Sequence, residues 1–195
     1  MDTLISSLLS ALVGAIIVYV FGIRKLSIEI RNAFVQKQLS EFYSPIAGYR
    51  KRIQTKSKLR TKVAEAADTA WNAICARHSQ TEMPNHEKLF APYKMIIEYD
   101  NKQLREELMP LYRKILDLFT EKYWLADEKT RIYYQNFLAF VEIWERYLAE
   151  ALPGEVLTKL GHAEENVLPF YEHIENKLST LQTEIKHQGF WRLRL

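Results

Sequence analysis

The sequence predicts an all-α protein in which an N-terminal transmembrane helix continues into a kinked cytoplasmic bundle of four or five helices. Residues 4–23 form an uncharged run of twenty positions without proline, which is the length of a membrane-spanning helix. After this run, apolar residues recur at spacings of three and four, the period of an amphipathic helix. No stretch of useful length alternates between apolar and polar residues, as a half-buried strand would.

The first predicted element is the apolar run itself, LISSLLSALVGAIIVYVFGI. In a helix it extends about 30 Å, which matches the hydrocarbon core of a bilayer. A cleaved signal peptide is the alternative, but it requires a basic segment before the run and a shorter apolar core. Here the run is preceded by the acidic Asp2 and followed directly by Arg24 and Lys25. We therefore predict an uncleaved single-pass anchor over residues 1–23.

Basic residues flank only the C-terminal side of this anchor. No lysine or arginine precedes it, and the cations that follow it closely are Arg24, Lys25, Arg31 and Lys37. Positively charged flanks remain on the cytoplasmic side of a membrane. We therefore expect the N-terminus outside and the bulk of the chain in the cytoplasm.

One face of the anchor carries small residues at every fourth position. Such faces let helix backbones approach closely in lipid, so we hypothesise that the anchors self-associate and give a homo-oligomer. Small residues are also common in membrane helices that do not associate. The residues of this face are Ser6, Ser10, Gly14, Ser7, Ala11 and Ala15.

The cytoplasmic part divides into a juxtamembrane helix over residues 24–44, a helical bundle over 45–188 and a tail over 189–195. Pro45 disfavours helical geometry at the residue before it and lacks a backbone donor, which predicts a kink or a helix restart. The chain has only six glycines and six prolines, and no linker is long enough to separate two domains.

The bundle begins with a helix from Pro45 to about residue 79, and a loop follows over residues 81–84. The next helical region covers residues 86–124, and Pro92 and Pro110 predict interruptions in it.

Two further helices complete the predicted bundle. Asp127 is the expected N-cap of the first, because a short acidic side chain accepts hydrogen bonds from the free amides of a helix start. Pro153 and Gly154 open the second, which extends to Lys186 with an interruption at Pro169. Gly189 is its predicted end.

The membrane-proximal section is strongly basic. Residues 24–62 contain eleven basic and two acidic residues, whereas residues 63–195 contain sixteen basic and twenty-one acidic ones. This section predicts contact with anionic lipids or a solvated face that only sets the topology, in preference to binding of nucleic acid or nucleotide phosphates. The predicted contact residues are Arg50, Lys51, Arg52, Lys56, Lys58, Arg60 and Lys62.

The tail mixes aromatic, aliphatic and basic residues. This composition is typical of a membrane interface or of a segment that docks into a partner, although it also fits a packed final turn. The predicted docking residues are Phe190, Trp191, Arg192 and Arg194.

No residue pattern predicts an enzyme, and we expect no cofactor. A di-iron bundle requires the Glu-x-x-His motif twice, together with a Glu on each of two other helices. The chain has one such motif, Glu184-x-x-His187, near its end, so a carboxylate–histidine metalloenzyme is the least favoured alternative. The chain has no Gly-rich phosphate loop, and the single Cys75 fits a small core residue in a reducing compartment.

Two short segments resemble a group of small bacterial single-pass membrane proteins of unassigned function. They are Gln38-Leu39-Ser40-Glu41-Phe42-Tyr43-Ser44-Pro45-Ile46 and Val167-Leu168-Pro169-Phe170-Tyr171-Glu172-His173-Ile174. The resemblance implies an inner-membrane protein with a cytoplasmic helical domain and carries no catalytic residues.

The sequence therefore predicts a non-enzymatic interaction or effector module at the bacterial inner membrane, whose cytoplasmic bundle binds a protein or a ligand. Some proteins of the group resemble components of antiviral or stress-response systems. The alternative is accordingly a membrane-disrupting effector of an antiviral defence system.

Overall fold

The computed structural model describes residues 2–78 and 85–192, with side chains over 14–78 and 85–186. The described chain is all-helical and contains no strand, which confirms the predicted all-α class. Its α-helices are α1 (Asp2–Lys37), α2 (Ser44–Arg77), α3 (His86–Gln103), α4 (Met109–Glu121), α5 (Glu128–Leu148), α6 (Gly154–Lys159) and α7 (Leu168–Arg192). The predicted loop over residues 81–84 lies outside the described residues.

A π-helical turn, Gln38–Tyr43, joins α1 to α2. Within it the amide of Ser44 donates to the carbonyl of Leu39, a bond to the fifth residue back that widens the helix. Pro45 lies in the first turn of α2, where its missing donor costs least. The chain is therefore helical from Asp2 to Arg77, and α2 begins within one residue of its predicted start.

Pro110 repeats this arrangement. The π-helical turn Leu104–Leu108 precedes it, and the amide of Met109 donates to the carbonyl of Leu104. Pro110 then lies in the first turn of α4, so the predicted interruption is confirmed. The interruption predicted at Pro92 is wrong, because Pro92 lies inside α3 and that helix continues to Gln103.

Asp127 caps α5, as predicted. Its carboxylate accepts a hydrogen bond of 2.8 Å from the amide of Thr130, and its backbone is extended. This geometry satisfies one of the free amides at a helix start.

The fifth helix, predicted from Pro153 and Gly154 to Lys186 with an interruption at Pro169, is interrupted earlier than predicted. α6 ends at Lys159, and Gly161 adopts a φ of +59°, a left-handed conformation that glycine accommodates without strain. A 3₁₀ turn, Glu164–Val167, leads into α7. Gly189 does not end this helix, which continues to Arg192.

The core forms where the π turn before α2 meets α4, α5 and α7. Aromatic rings dominate it: the centroid of Phe119 lies 5.1 Å from that of Phe42 and 5.6 Å from that of Phe170. Edge-to-face and tilted pairs at such distances add to the stabilisation from burial alone. The N-terminal part of α1 extends away from this core, and α3 buries none of its residues.

The predicted membrane-spanning helix is not supported by the described residues, among which no helix is long and apolar enough to cross a bilayer. The side chains of residues 1–13 lie outside the described part. The remaining apolar stretch, residues 14–23, extends only about 15 Å before Arg24.

Candidate functional site

Arg50 is the member of the predicted basic face that the structure places differently. Its side chain is buried, with only 7% of the residue exposed, and its guanidinium carbon lies 4.1 Å from the centroid of the Tyr171 ring. The prediction of a solvent-facing contact is therefore wrong at this position. Arg50 follows Ile46 by four residues and precedes Ile53 by three, and both are fully buried, so it shares the core face of α2.

The side chains of Lys56 and Arg60 also form ion pairs within the bundle. Lys56 pairs with Glu107 of the second π turn, and Nε of Arg60 lies 3.9 Å from Oδ1 of Asp100 in α3. Their side chains are 24% and 25% exposed. The remaining cations of the predicted face are exposed, namely Lys51, Arg52, Lys58 and Lys62.

Two cavities adjoin beside this part of α2. We call them the aromatic cavity, of about 310 Å³, and the charged cavity, of about 360 Å³. Ser57, Thr61 and Glu164 line both. Each volume lies at the lower end of the range of small-molecule sites, which is about 300–1,000 Å³.

The two cavities differ in chemistry. The aromatic cavity is lined by Tyr112, Phe140 and Trp144 from α4 and α5, with Arg60 and Asp100 beside them. The side chains that line only the charged cavity include Arg50, Gln54, Lys58, Lys62, Glu65 and Glu165. One cavity therefore offers ring surfaces, and the other offers charges and hydrogen-bond groups.

Several buried donors beside these cavities have no hydrogen-bond partner among the described residues. They include Nε and Nη1 of Arg50 and Nε of Arg60. Because arginine donates but never accepts, these groups require acceptor oxygen atoms. Unpaired buried polar groups are rare and costly, which marks this part of the molecule as the candidate binding site.

A second polar cluster lies at the start of α5. The hydroxyl of Thr130, which is fully buried, lies 2.6 Å from Oδ1 of Asp127, 2.7 Å from Nε2 of His173 and 2.9 Å from the hydroxyl of Tyr43. Nζ of Lys177 lies 2.9 Å from Oδ2 of Asp127. The cluster joins the π turn before α2, the cap of α5 and the N-terminal half of α7.

Burial and pairing shift the pKa values of this cluster. Burial alone would raise the pKa of Asp127, but hydrogen bonds from Lys177 and Thr130 outweigh it and hold that pKa at about 2. Burial lowers the pKa of His173 and the charge of Asp127 opposes this only in part. Desolvation raises the pKa of Tyr43.

These residues form a structural link and not a nucleophilic site. Thr130, His173 and Asp127 are residue types found in catalytic triads, but a nucleophile must be reached by its substrate. Thr130 has no exposed surface, and Asp127 hydrogen-bonds its hydroxyl and its amide. The cluster therefore stabilises the junction of three helices, and the sequence signal for it was the single N-cap at Asp127.

The histidine, cysteine and carboxylate residues considered as metal ligands or nucleophiles do not form a site among the described residues. Among the described residues, no group of three His, Cys, Asp or Glu side chains is placed to hold a metal ion, and the side chain of His187 lies outside that part. Cys75 is half-buried near the end of α2.

The predicted self-association and docking residues lie mostly outside the described side chains. This applies to Ser6, Ser7, Ser10 and Ala11 in the anchor and to Phe190, Trp191, Arg192 and Arg194 in the tail. Of the small face, Gly14 and Ala15 are described and exposed, and no side chain among the described ones lies within 4 Å of where a Cβ at Gly14 would stand.

Neither protein-family models nor curated proteins nor solved structures give a match to this chain.

Proposed function

We propose that this protein is a membrane-anchored, non-enzymatic interaction module of the bacterial inner membrane. The apolar N-terminal section of α1 is its anchor, and the helical bundle is the cytoplasmic body that binds a partner.

The exposure of α1 between Ile16 and Ile23 carries this proposal. Every large apolar side chain in this stretch is about half exposed or more, from 48% at Ile23 to 72% at Val18. The residues are Ile16, Ile17, Val18, Tyr19, Val20, Phe21 and Ile23. Exposed apolar surfaces of this kind mark sites of interaction with a membrane or with another protein.

A membrane explains this surface better than a protein groove does. Residues 16–21 are consecutive, so at about 3.6 residues per turn they point in every direction around the helix. A helix that docks into a groove needs one apolar stripe, whereas a helix that is apolar all round is buried in a large core or in lipid. Arg24 and Lys25 directly follow the stretch, as cytoplasmic flanks do.

Charged substitutions on this surface test the anchor. The double variant Ile16→Arg/Val18→Arg should leave the membrane fraction after carbonate extraction, because each arginine at the centre of a span costs about 2.5–3.5 kcal/mol on insertion scales. The measurement is the fraction of full-length protein that sediments with membranes.

A matched control uses the same helix and the same spacing. Ile28 and Ile30 are 53% and 63% exposed but follow the basic flank, so Ile28→Arg/Ile30→Arg should still sediment. If the Ile16/Val18 variant sediments as fully as the natural chain, the anchor proposal is wrong. The alternative of a membrane-disrupting effector needs the same anchor, and depolarisation of cells that express the full chain would distinguish it.

A further inference from the structure

α7 runs antiparallel to the first two helices, and two contacts fix its register. Near the start of α7, the ring of Tyr171 lies 4.1 Å from the guanidinium carbon of Arg50 in α2. Further along, Oε2 of Glu184 lies 3.6 Å from Nη2 of Arg31 in α1, and Ile185 still packs against the bundle core. As its residue numbers rise, α7 therefore runs beside α1 toward the apolar N-terminal section.

The same register places the end of α7 beside the basic flank of the proposed anchor. The helix continues to Arg192. Trp191 follows Glu184 by seven residues and Arg24 precedes Arg31 by seven, so the backbone of each lies about 10 Å from that contact in the same direction. A crossing angle of about 20°, usual between neighbouring helices of a bundle, changes this height by less than about 1 Å. Trp191 therefore lies at the level of Arg24.

The residues that α7 brings to this level have the composition of a membrane interface. Phe190 and Trp191 are followed by Arg192, and residues 185–195 contain three basic and no acidic residues. Tryptophan is enriched among lipid headgroups, and arginine is attracted to the anionic cytoplasmic leaflet. Docking into a groove of a partner protein would give no reason for this segment to lie level with the basic flank of the anchor. Its height therefore favours lipid as the partner.

We propose that residues 190–192 bind the headgroups of anionic phospholipids and give the bundle a second contact with the membrane. This inference rests on the proposed anchor, which places Arg24 at the bilayer surface. The bundle core holds the preceding part of the helix, where Ile174 and Leu181 are buried. Contacts through both α1 and α7 restrict the tilt of the bundle on its anchor.

Quenching of tryptophan fluorescence by brominated lipids tests the proposal on the full chain in vesicles. The chain has four tryptophans, and none lies in the apolar run of residues 4–23. Lipids with bromine near the headgroup end of their acyl chains should quench part of the emission, and Trp191→Phe should abolish this quenching.

Trp124→Phe is the matched control and should retain the quenching. Trp124 is half exposed, and its ring contacts that of Phe34, which lies about 15 Å beyond Ile23 along α1. Both substitutions exchange one aromatic ring for another, and circular dichroism checks that the helical fold is retained.

A second pair of variants tests the contribution of the cations. Vesicles of phosphatidylglycerol and phosphatidylcholine in equal parts should quench more than phosphatidylcholine alone, because each cation near an anionic surface strengthens binding about fivefold. Arg192→Gln/Arg194→Gln should remove this difference. Lys51→Gln/Arg52→Gln removes two exposed cations of α2 and should retain it.

The outcomes separate this inference from the proposed anchor. If the full chain does not stay with the vesicles after carbonate treatment, the anchor proposal fails, and the lipid contact fails with it. If the chain stays with the vesicles but Trp191→Phe is quenched as strongly as the natural chain, only the lipid contact is overturned. Equal quenching in the two kinds of vesicle would overturn the assignment of anionic lipid. Absence of quenching in the anchored chain would place this segment in a packed turn or on a protein partner, and would also overturn the proposal.

Discussion

Thr130 is the residue on which the second polar cluster depends. Its hydroxyl lies within hydrogen-bond distance of Asp127, His173 and Tyr43 while the residue has no exposed surface. Removal of one member of a buried network leaves its partners without hydrogen bonds, and each such group costs about 1–3 kcal/mol.

Thr130→Val should therefore lower the free energy of unfolding by about 1–3 kcal/mol, since it keeps the shape and removes the hydroxyl. The measurement is urea unfolding of the full chain, followed by circular dichroism. Thr183→Val is the control, because Thr183 is exposed and bonds only the carbonyl of Ser179. If the loss in free energy of unfolding is no larger than in the control, the hydrogen bonds of Thr130 do not stabilise the cluster.

The same cluster predicts how stability depends on pH. The folded pKa of Asp127 is about 2, below its usual 3.8, so its contribution is complete above the usual value and is lost as pH falls toward 2. Burial lowers the pKa values of His173 and His162 below 6.5. Just below pH 6.5 the two histidines therefore bind more protons in the unfolded chain than in the folded one. The free energy of unfolding should already decline as pH falls below about 6.5.

Asp127→Asn separates the contribution of Asp127 to the pH dependence from that of the histidines. Asparagine also caps helices but carries no charge. At neutral pH the variant should be less stable by about 1 kcal/mol, a value at the low end for charged hydrogen bonds because the Asp127 side chain is 28% exposed and solvent screens its charge. The difference from the natural chain should vanish between about pH 4 and pH 2. A difference that is independent of pH would contradict the assigned pKa.

Residue identity alone predicts the charge of Arg50 but not its burial. The sequence places it among neighbouring cations, and a basic run is ordinarily a solvated face. Its position between Ile46 and Ile53 was the available signal. The guanidinium of Arg50 packs on the ring of Tyr171, which belongs to α7. No local sequence pattern reveals this long-range contact.

At the scale of elements, proline explains both π-helical turns. A proline ring clashes with the carbonyl four residues back, and each π turn widens the helix over the residues before Pro45 or Pro110. The sequence predicts an irregularity at both positions but not its type. The same reasoning predicts a break at Pro92, which the structure does not show.

α3 is a weakly attached helix of the bundle. It buries no residue, and an aromatic contact with α2 fixes it, where the ring of Trp71 lies 5.0 Å from that of Phe90 and 5.4 Å from that of Tyr93. Segments with few buried contacts open locally at a fraction of the global free energy of unfolding. Amide hydrogens of α3 should therefore exchange much faster than those of α4, whose residues Ile115 and Phe119 are fully buried.

Trp71→Ala should accelerate exchange in α3 further and leave α4 and α5 unchanged, as hydrogen-exchange mass spectrometry would show. Trp124→Ala is the matched control, because Trp124 is half exposed and contacts Phe34 of α1. Equal protection of α3 and α4 in the natural chain would show that α3 unfolds only with the bundle.

At the scale of the whole molecule, α1 holds the bundle away from the proposed anchor. The helix is uninterrupted to Lys37, so the section after Ile23 alone extends about 20 Å. α7 packs beside this section, where Oε2 of Glu184 lies 3.6 Å from Nη2 of Arg31. A membrane helix is tilted by about 20° on average, which reduces this height only slightly.

With the proposed anchor placed in a bilayer, this geometry separates the exposed cations of α2 from lipid. Attraction to anionic headgroups decays within the Debye length, about 8 Å at physiological salt. Arg52 lies a further fifteen residues beyond Lys37, which along a helix gives a path of about 40 Å from Ile23. The anionic lipid contact predicted from the sequence for Lys51, Arg52, Lys58 and Lys62 therefore requires the bundle to fold back onto the bilayer.

Fluorescence quenching by headgroup-labelled lipids measures this distance. In a Cys75→Ser background, a fluorophore at Leu26→Cys should be quenched strongly, because Leu26 is 58% exposed and lies about 5 Å beyond Ile23. A fluorophore at Arg52→Cys should not be quenched, because it stands several Debye lengths from the headgroups. Equal quenching at the two positions in anionic bilayers would mean that α2 lies on the membrane, and the basic face would then be a lipid-binding surface.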